Sequence, residues 1–118
     1  MTRVTITMHV PPTKRRELLQ SLHELIRLMQ QEPGCLKVHI VFDMDDQHVL
    51  TLMEEWQNQQ ALERYMESEY FSILQGAMKL LTTFSEMTIT PGVKPSLQEN
   101  TYSAIETGRV DGLAFEQY

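Results

Sequence analysis

One stretch of the chain decides the fold: Glu54-Glu55-Trp56-Gln57-Asn58-Gln59-Gln60-Ala61-Leu62-Glu63-Arg64-Tyr65-Met66-Glu67-Ser68-Glu69-Tyr70-Phe71. It predicts the end of a β-strand, a short turn and a helix that restarts near Ser68. Asn58 and Ser68 are residue types that favour helix N-caps. The stretch contains the only tryptophan and two of the four tyrosines. We therefore expect the walls of any pocket to come from it.

The flanking sequence supplies the other elements. Polar and apolar residues alternate over 3–10, 36–43 and 48–56, which predicts three strands. Between the first two, apolar residues recur at helical spacing over 13–31, with Thr13 as a candidate N-cap and Glu32-Pro33-Gly34 as the stop. A polar turn over 44–47 joins the second and third strands as an antiparallel hairpin. After the helices, residues 84–90 predict a last short strand.

The predicted order is strand, helix, strand, strand, helix, strand. Two right-handed crossovers in this order place both helices on one face of a four-stranded antiparallel sheet, which is the α+β ferredoxin-like βαββαβ arrangement. The other sheet face is left bare, although it carries apolar residues such as Val41, Val49 and Met53 among polar ones. We expect this open face to be covered by a second copy in a homodimer, with His39 in the interface. The alternative is that the chain's own C-terminal segment covers it.

Composition narrows the class of protein. The chain has 118 residues, enough for one domain. We assign residues 1–91 to that domain and 92–118 to a C-terminal extension that docks on the domain or across the dimer. The net charge of −6 argues against nucleic acid as a partner. The sequence has neither a signal peptide nor an apolar run of about 18 residues, so we expect no membrane association and a cytoplasmic location. A single cysteine, Cys35, fits a reducing compartment.

Several short motifs resemble the antibiotic biosynthesis monooxygenase domain of the dimeric α+β barrel superfamily. They are Glu32-Pro33-Gly34-Cys35-Leu36, Glu54-X-Trp56, Ala61-Leu62-X-X-Tyr65 and Ser68-X-X-Phe71, and the resemblance covers about residues 3–90. It implies a ferredoxin-like dimer and, in some members, oxidation of quinols or polycyclic phenols by dioxygen without a cofactor. Many members have histidine where this chain has Tyr65. Haem-degrading members combine that histidine with a tryptophan and a first-strand asparagine. Of that set only Trp56 is present, which disfavours haem degradation.

The candidate catalytic residues are Tyr65, Glu54 and His23. Glu54 shares a strand face with Trp56, and a carboxylate there needs a hydrogen-bonding partner or a cleft. It could be a general base with a raised pKa or a structural partner of a backbone amide or of Arg64. The Tyr65 hydroxyl could orient a substrate oxygen or only pack. His23 flanks the apolar stripe of the first helix and could move a proton.

The candidate substrate-binding residues are apolar and face the predicted interior: Trp56, Leu52, Phe71, Leu22 and Ile26. The four histidines lack metal-binding spacing, so we predict no metal site. The resemblance implies a reaction that needs no cofactor. The first hypothesis is a monooxygenase that oxidises a small aromatic, quinol-like molecule. The alternative is a non-enzymatic ligand-binding or stress-response dimer. A third interpretation is a purely structural dimer, in which Trp56 and Tyr65 pack closely with no space between them.

Overall fold

The N-terminal alternating segment forms a central strand of the sheet. The computed structural model describes residues 1–93. Its elements are β1 (Thr2–His9), a 3₁₀ turn (Pro12–Lys14), α1 (Arg15–Met29), β2 (Cys35–Phe42), β3 (Val49–Trp56), α2 (Gln59–Met66), α3 (Glu69–Leu81) and β4 (Phe84–Thr90). The strands are antiparallel in the order β2-β3-β1-β4. The expectation of a ferredoxin-like α+β fold is confirmed, with the predicted second helix divided into α2 and α3.

The core lies between the sheet and the helices. Every second residue of β1 is buried, and the apolar stripe predicted for α1 is buried in the same core. The largest fully buried side chains are Trp56, Tyr65, Ile6, Met8, Leu18, Leu22, Met29, Ile40, Leu50, Leu52, Leu62 and Leu74. Two large aromatic rings therefore lie among aliphatic side chains at one end of this core.

Two local expectations need correction. The first helix does not begin with a Thr13 cap: Thr13 lies in the 3₁₀ turn, and α1 has no side-chain cap. The fixed φ of Pro12 at the first position favours this tighter turn. The second correction concerns Leu36: alternation over 36–43 predicts that it shares the inward face with Val38 and Ile40, but it is 56% exposed. A bulge between Cys35 and Lys37 inserts a residue, and alternation fails there.

The open face of the sheet is neither fully buried nor fully exposed within this single chain. Most of its residues on the two central strands are half-buried; they are Arg3, Thr5, Thr7 and His9 on β1, and Val49, Thr51 and Met53 on β3. Arg3 also forms an ion pair with Glu55, with a 3.2 Å distance between Nη2 and Oε2. The face thus combines short polar, apolar and paired charged side chains.

The described part of the chain ends beside its beginning. The N-terminal ammonium donates to the Val93 carbonyl at 3.0 Å, and the Val93 amide donates to the Met1 carbonyl at 2.7 Å. Most of the extension assigned to 92–118 lies outside the described residues, as does its predicted docking. Within residues 1–93, no helix has both the length and the apolar character needed to cross a bilayer.

Candidate functional site

A buried carboxylate forms the centre of the candidate site. Glu54 lies on the helix-covered face of β3 and is 1% exposed. The indole Nε1 of Trp56, two residues along the same strand, donates to its Oε1 at 2.9 Å. No hydrogen-bond partner lies near its Oε2 among residues 1–93. One oxygen of the carboxylate is therefore held in place, and the other is buried without a partner among residues 1–93.

Burial changes the proton affinity of this carboxylate. Removal from water disfavours the charged form and raises the pKa of Glu54 from 4.5 to about 7, although the hydrogen bond from Trp56 opposes the rise. Arg64, which the sequence offered as a partner, is exposed on α2. The actual partner is the neutral indole, which holds the group without supplying a positive charge. Glu54 can consequently take up and release a proton near neutral pH.

Tyr65 contacts the face of the Trp56 indole, whereas Glu54 accepts a hydrogen bond from its N–H. Its ring stacks on that of Trp56 with a centroid distance of 4.8 Å and an interplanar angle of 21°, and Phe71 meets it edge-on at 5.4 Å. The Tyr65 hydroxyl is buried and, within residues 1–93, has no hydrogen-bond partner. Burial and then the charge of Glu54 raise the pKa of this hydroxyl, so it stays protonated and can donate a hydrogen bond.

Local capping positions Tyr65 and Phe71. The Asn58 side chain accepts from the Ala61 amide at 2.9 Å and starts α2, as predicted. Ser68 starts α3 by accepting from the Phe71 amide at 3.3 Å, and its hydroxyl donates to the Tyr65 carbonyl at 2.6 Å. One serine thus ends the helix that carries the tyrosine and begins the helix that carries the phenylalanine.

Gly34, from the first motif, has no room for a side chain because Ala61, from the third motif, lies against it. Gly34 has φ of +89°, and a Cβ at this position would lie 2.4 Å from the Cβ of Ala61. Its carbonyl accepts from the Gln57 amide at 2.8 Å. The turn before β2 therefore presses directly on the first turn of α2, and it fixes the distance of that helix from Trp56.

The structure brings most of the predicted site residues into one buried cluster. Leu22, Leu52 and Phe71 are at most 6% exposed, and Ile26 is 9% exposed, in the same core as Trp56. His23 differs, because it is exposed on α1 while Glu54 and Tyr65 are buried. The geometry therefore joins two of the three candidate catalytic residues and leaves His23 at the surface.

The aromatic cluster is closed in this structure. One cavity of about 360 Å³ lies at the junction of α3 and β4, lined by Gln75, Met78, Lys79, Thr82, Thr83, Phe84 and Ser85. A second, of about 290 Å³, is lined by Gln30, Cys35, Leu36, Lys37 and Val38; we call it the edge cavity. Neither is lined by Trp56 or Tyr65. No group of three His, Cys, Asp or Glu side chains in residues 1–93 could hold a metal ion.

Cys35 also borders the site, although the sequence did not predict it there. Its Cα lies opposite that of Trp56 in the β2–β3 ladder. A regular hairpin would have placed Leu36 there, because Phe42 opposes Leu50 and each step back moves one residue on each strand. The bulge advances the register by one. Burial, followed by the charge of Glu54, raises the pKa of the Cys35 thiol to about 11, so the thiol is neutral at physiological pH.

Fold and site together define a small α+β protein whose helix-covered sheet face holds a buried carboxylate against stacked aromatic rings. Residues 1–75 match the sequence profile described as antibiotic biosynthesis monooxygenase. The chain belongs to that family, as the motifs around Gly34, Trp56, Tyr65 and Phe71 indicated.

Solved structures agree with this fold. A conserved protein from Methanosarcina mazei Go1 is 23% identical, with a TM-score of 0.73, and the match covers 76% of this chain and 90% of that chain. A structure described as antibiotic biosynthesis monooxygenase is also 23% identical, with a TM-score of 0.71 and coverage of 80% and 100%. SnoaB, a cofactor-independent oxygenase from Streptomyces nogalater, is 15% identical, with a TM-score of 0.70 and coverage of 80% and 94%. No curated protein matches by sequence.

Proposed function

We propose that this protein is a cofactor-independent monooxygenase that oxidises a quinol or polycyclic phenol with dioxygen, with Glu54 as the proton acceptor and Tyr65 as the orienting donor. One observation carries the proposal. Two buried oxygens, Glu54 Oε2 and the Tyr65 hydroxyl, have no partner within residues 1–93, and the residues that bear them both contact the Trp56 indole.

Such unpaired groups are costly in a purely structural core. Each unsatisfied buried donor or acceptor costs about 1–3 kcal/mol, and folded proteins pair nearly all of them. A ligand hydroxyl or a bound water in contact with both oxygens would remove this cost. A phenol suits the pair, because it can donate to the carboxylate and accept from the tyrosine.

The protonation states also suit the reaction. A base works best when its pKa lies near the working pH, and burial raises the pKa of Glu54 to about 7. Removal of a proton makes a quinol or phenol electron-rich enough to reduce dioxygen directly. For an anthrone, both hydrogens leave the reacting carbon. One oxygen atom enters the product as a carbonyl, and the other leaves as water, so no further reductant is needed.

We propose that the working unit is a homodimer formed through the open sheet face. This face is semi-apolar and its side chains are only half-buried, so part of its apolar surface would be left in water, which is unfavourable. Burial, together with the neighbouring Lys37 charge, lowers the pKa of His39 on this face, so His39 is neutral at neutral pH and brings no charge to this surface.

A non-enzymatic binding or structural role has its own support. Trp56 and Tyr65 are already stacked and are at most 1% exposed, as expected for core anchors. Substrate entry would therefore require the aromatic cluster to open. The two roles differ in their demand on Glu54, because only catalysis needs an ionisable group at this position.

The test is oxygen uptake by purified, metal-stripped protein with a panel of quinols and anthrones. We expect uptake in the wild type and a loss of about 10²-fold or more in Glu54→Gln, which keeps the shape but not the base. Tyr65→Phe and Trp56→Phe should also slow uptake, since Tyr65→Phe removes the hydroxyl and keeps the ring, and Trp56→Phe removes the indole N–H and keeps an aromatic ring. Glu63→Gln, at an exposed site on α2, is the matched control.

Two results would count against catalysis. Equal uptake in Glu54→Gln and Glu63→Gln would remove Glu54 from the mechanism. Tight binding of panel members without uptake, measured by quenching of the single tryptophan, would favour the binding role.

A further inference from the structure

The edge cavity lies directly beside the buried cluster. Two of its lining residues, Cys35 and Val38, are the cross-strand partners of Trp56 and Glu54. Side chains in directly opposed pairs on one sheet face have Cβ atoms about 4.5–5.5 Å apart. Since β2 is an edge strand of the sheet, no further strand from residues 1–93 covers its outer side. A single strand therefore separates the cavity from the carboxylate and the indole.

The β-bulge shapes this cavity. It turns Leu36 outward, to 56% exposure, and brings Cys35 opposite Trp56. Cys35 is half-buried, so its thiol belongs both to the cavity wall and to the edge of the core. Bulges are common next to active sites because they re-aim side chains and interrupt pairing.

A polar group without a partner among residues 1–93 lies on the strand next to the cavity. Glu54 is 1% exposed, and no described residue pairs with its Oε2. A group of this kind must exchange protons with solvent if it titrates, and the stacked rings close the side covered by α2. A route along the edge strand would start at Cys35 and Val38, the two lining residues that lie opposite Trp56 and Glu54.

We propose that the edge cavity is the entrance through which dioxygen and other small neutral solutes reach the Glu54–Trp56 pair, with the Cys35 side chain as its gate. The volume of about 290 Å³ is just below the range for ligand pockets, roughly 300–1,000 Å³. It suits dioxygen, water or a molecule of about one ring, and a polycyclic phenol would need another entrance. The inference deepens the proposed function, but its test does not depend on turnover.

The single tryptophan makes the route measurable. Trp56 is the only tryptophan and Cys35 the only cysteine, so fluorescence quenching reports on one site and thiol labelling blocks one site. The experiment measures the bimolecular quenching constant of Trp56 by dioxygen and by acrylamide in the full-length protein. It compares untreated protein, protein alkylated at Cys35 with N-ethylmaleimide, and the variants Cys35→Phe and Gln75→Phe. The last variant places the same bulk in the cavity at the α3–β4 junction.

We expect alkylation and Cys35→Phe to lower quenching by dioxygen at least about twofold, with the remainder due to local opening. Gln75→Phe should leave it unchanged. If Cys35→Phe does not fold, the alkylated wild type decides. Unchanged quenching after complete alkylation would overturn the proposal, and so would a native thiol that maleimide cannot reach.

A second measurement tests the link between gate and carboxylate. Glu54→Gln removes a charge that raises the pKa of Cys35, so native alkylation at pH 8 should become several-fold faster than in Glu63→Gln. Equal alkylation rates would show that the charge of Glu54 does not affect the Cys35 thiol. Loss of oxygen uptake in Glu54→Gln with unchanged quenching in the alkylated protein would leave the proposed function standing and this entrance refuted.

Discussion

Trp56 donates its indole hydrogen to Glu54 Oε1 at 2.9 Å while both side chains are at most 1% exposed. This hydrogen bond is compatible with both a structural and a catalytic role for the two residues. A buried tryptophan whose indole N–H donates to a carboxylate is a stable part of a core, because the indole N–H needs a buried acceptor. The same hydrogen bond holds the carboxylate in place and leaves its second oxygen available for a proton.

The first prediction concerns stability against pH. Burial raises the pKa of Glu54 from 4.5 in the unfolded chain to about 7 in the folded one, so the folded state binds the extra proton between these values. The free energy of unfolding should therefore fall as pH rises from about 4.5 to 7, by about 3 kcal/mol from this group.

Urea unfolding of wild type and Glu54→Gln at pH 5 and pH 8 isolates this contribution, because other groups titrate alike in both proteins. We expect the wild type to lose about 3 kcal/mol more than the variant between the two pH values. Trp56 emission should show a transition near pH 7 in the wild type alone. Parallel pH profiles for the two proteins would assign an ordinary pKa to Glu54.

The second prediction separates the roles of the Tyr65 ring and hydroxyl. Tyr65→Phe keeps the stacking on Trp56 and removes a buried hydroxyl without a described partner. The free energy of unfolding should stay level or rise by about 1 kcal/mol, while oxygen uptake falls. Tyr70→Phe, at a half-buried site on α3, is the control. A loss of stability in Tyr65→Phe would mean that the hydroxyl binds a structural water.

Local signals make much of this site predictable. The Asn58 and Ser68 caps depend on residues three positions away, and alternation along β3 is enough to put Glu54 and Trp56 on one face. Their hydrogen bond could have been inferred from that shared face. The attraction of opposite charges pointed instead to Arg64, which lies at the surface.

The remaining features depend on contacts between distant parts of the chain. The bulge beside Leu36 comes directly after the Gly34 turn, which lies against Ala61 of α2, and no periodicity in β2 encodes it. Its one-residue shift placed Cys35 rather than Leu36 beside Trp56. The closed stacking of Trp56 and Tyr65 likewise depends on the position of α2 above the sheet, and the sequence could only assign both rings to the interior.

The third prediction tests the contact that sets the position of α2. Gly34→Ala imposes a positive φ and a 2.4 Å clash with Ala61, so it should cost roughly 2–5 kcal/mol. Gly92→Ala also has a positive φ, but no atom of residues 1–93 lies within 4 Å of the added Cβ, so it should cost only about 1–2 kcal/mol. Chemical denaturation measures both values.

A double variant isolates the clash. In an Ala61→Gly background the added methyl group at position 34 has room, so the cost of Gly34→Ala should fall to that of Gly92→Ala. A cost that Ala61→Gly does not reduce would show that backbone strain alone requires the glycine.

The fourth prediction concerns the proposed dimer. Thr51 lies at the centre of the open face, opposite Thr7 on β1 and Val41 on β2. Thr51→Arg would bury a charge in a two-fold interface, so light scattering should show a monomer in place of a dimer. Gln60→Arg adds the same side chain at an exposed site on α2 and should leave the mass unchanged. A wild type that is monomeric at all concentrations would refute the proposed dimer.

The last prediction concerns the C-terminal extension. Ile73 and Leu80 are about two helical turns apart on the same side of α3, and they are 52% and 74% exposed. The residues that follow Val93 include Leu113, Phe115 and Tyr118. If the extension docks as the sequence predicts, removing residues 94–118 should lower the melting temperature and increase binding of an apolar dye.

Replacing these three tail residues by serine in the full-length chain should reproduce the loss, because the extension would keep its length and lose its anchors. Serine at Gln98 and Asn100 is the matched control. An unchanged melting curve and dye signal in the truncated protein would mean that the extension does not cover the domain. The exposed stripe on α3 would then require a partner other than this chain's own C terminus.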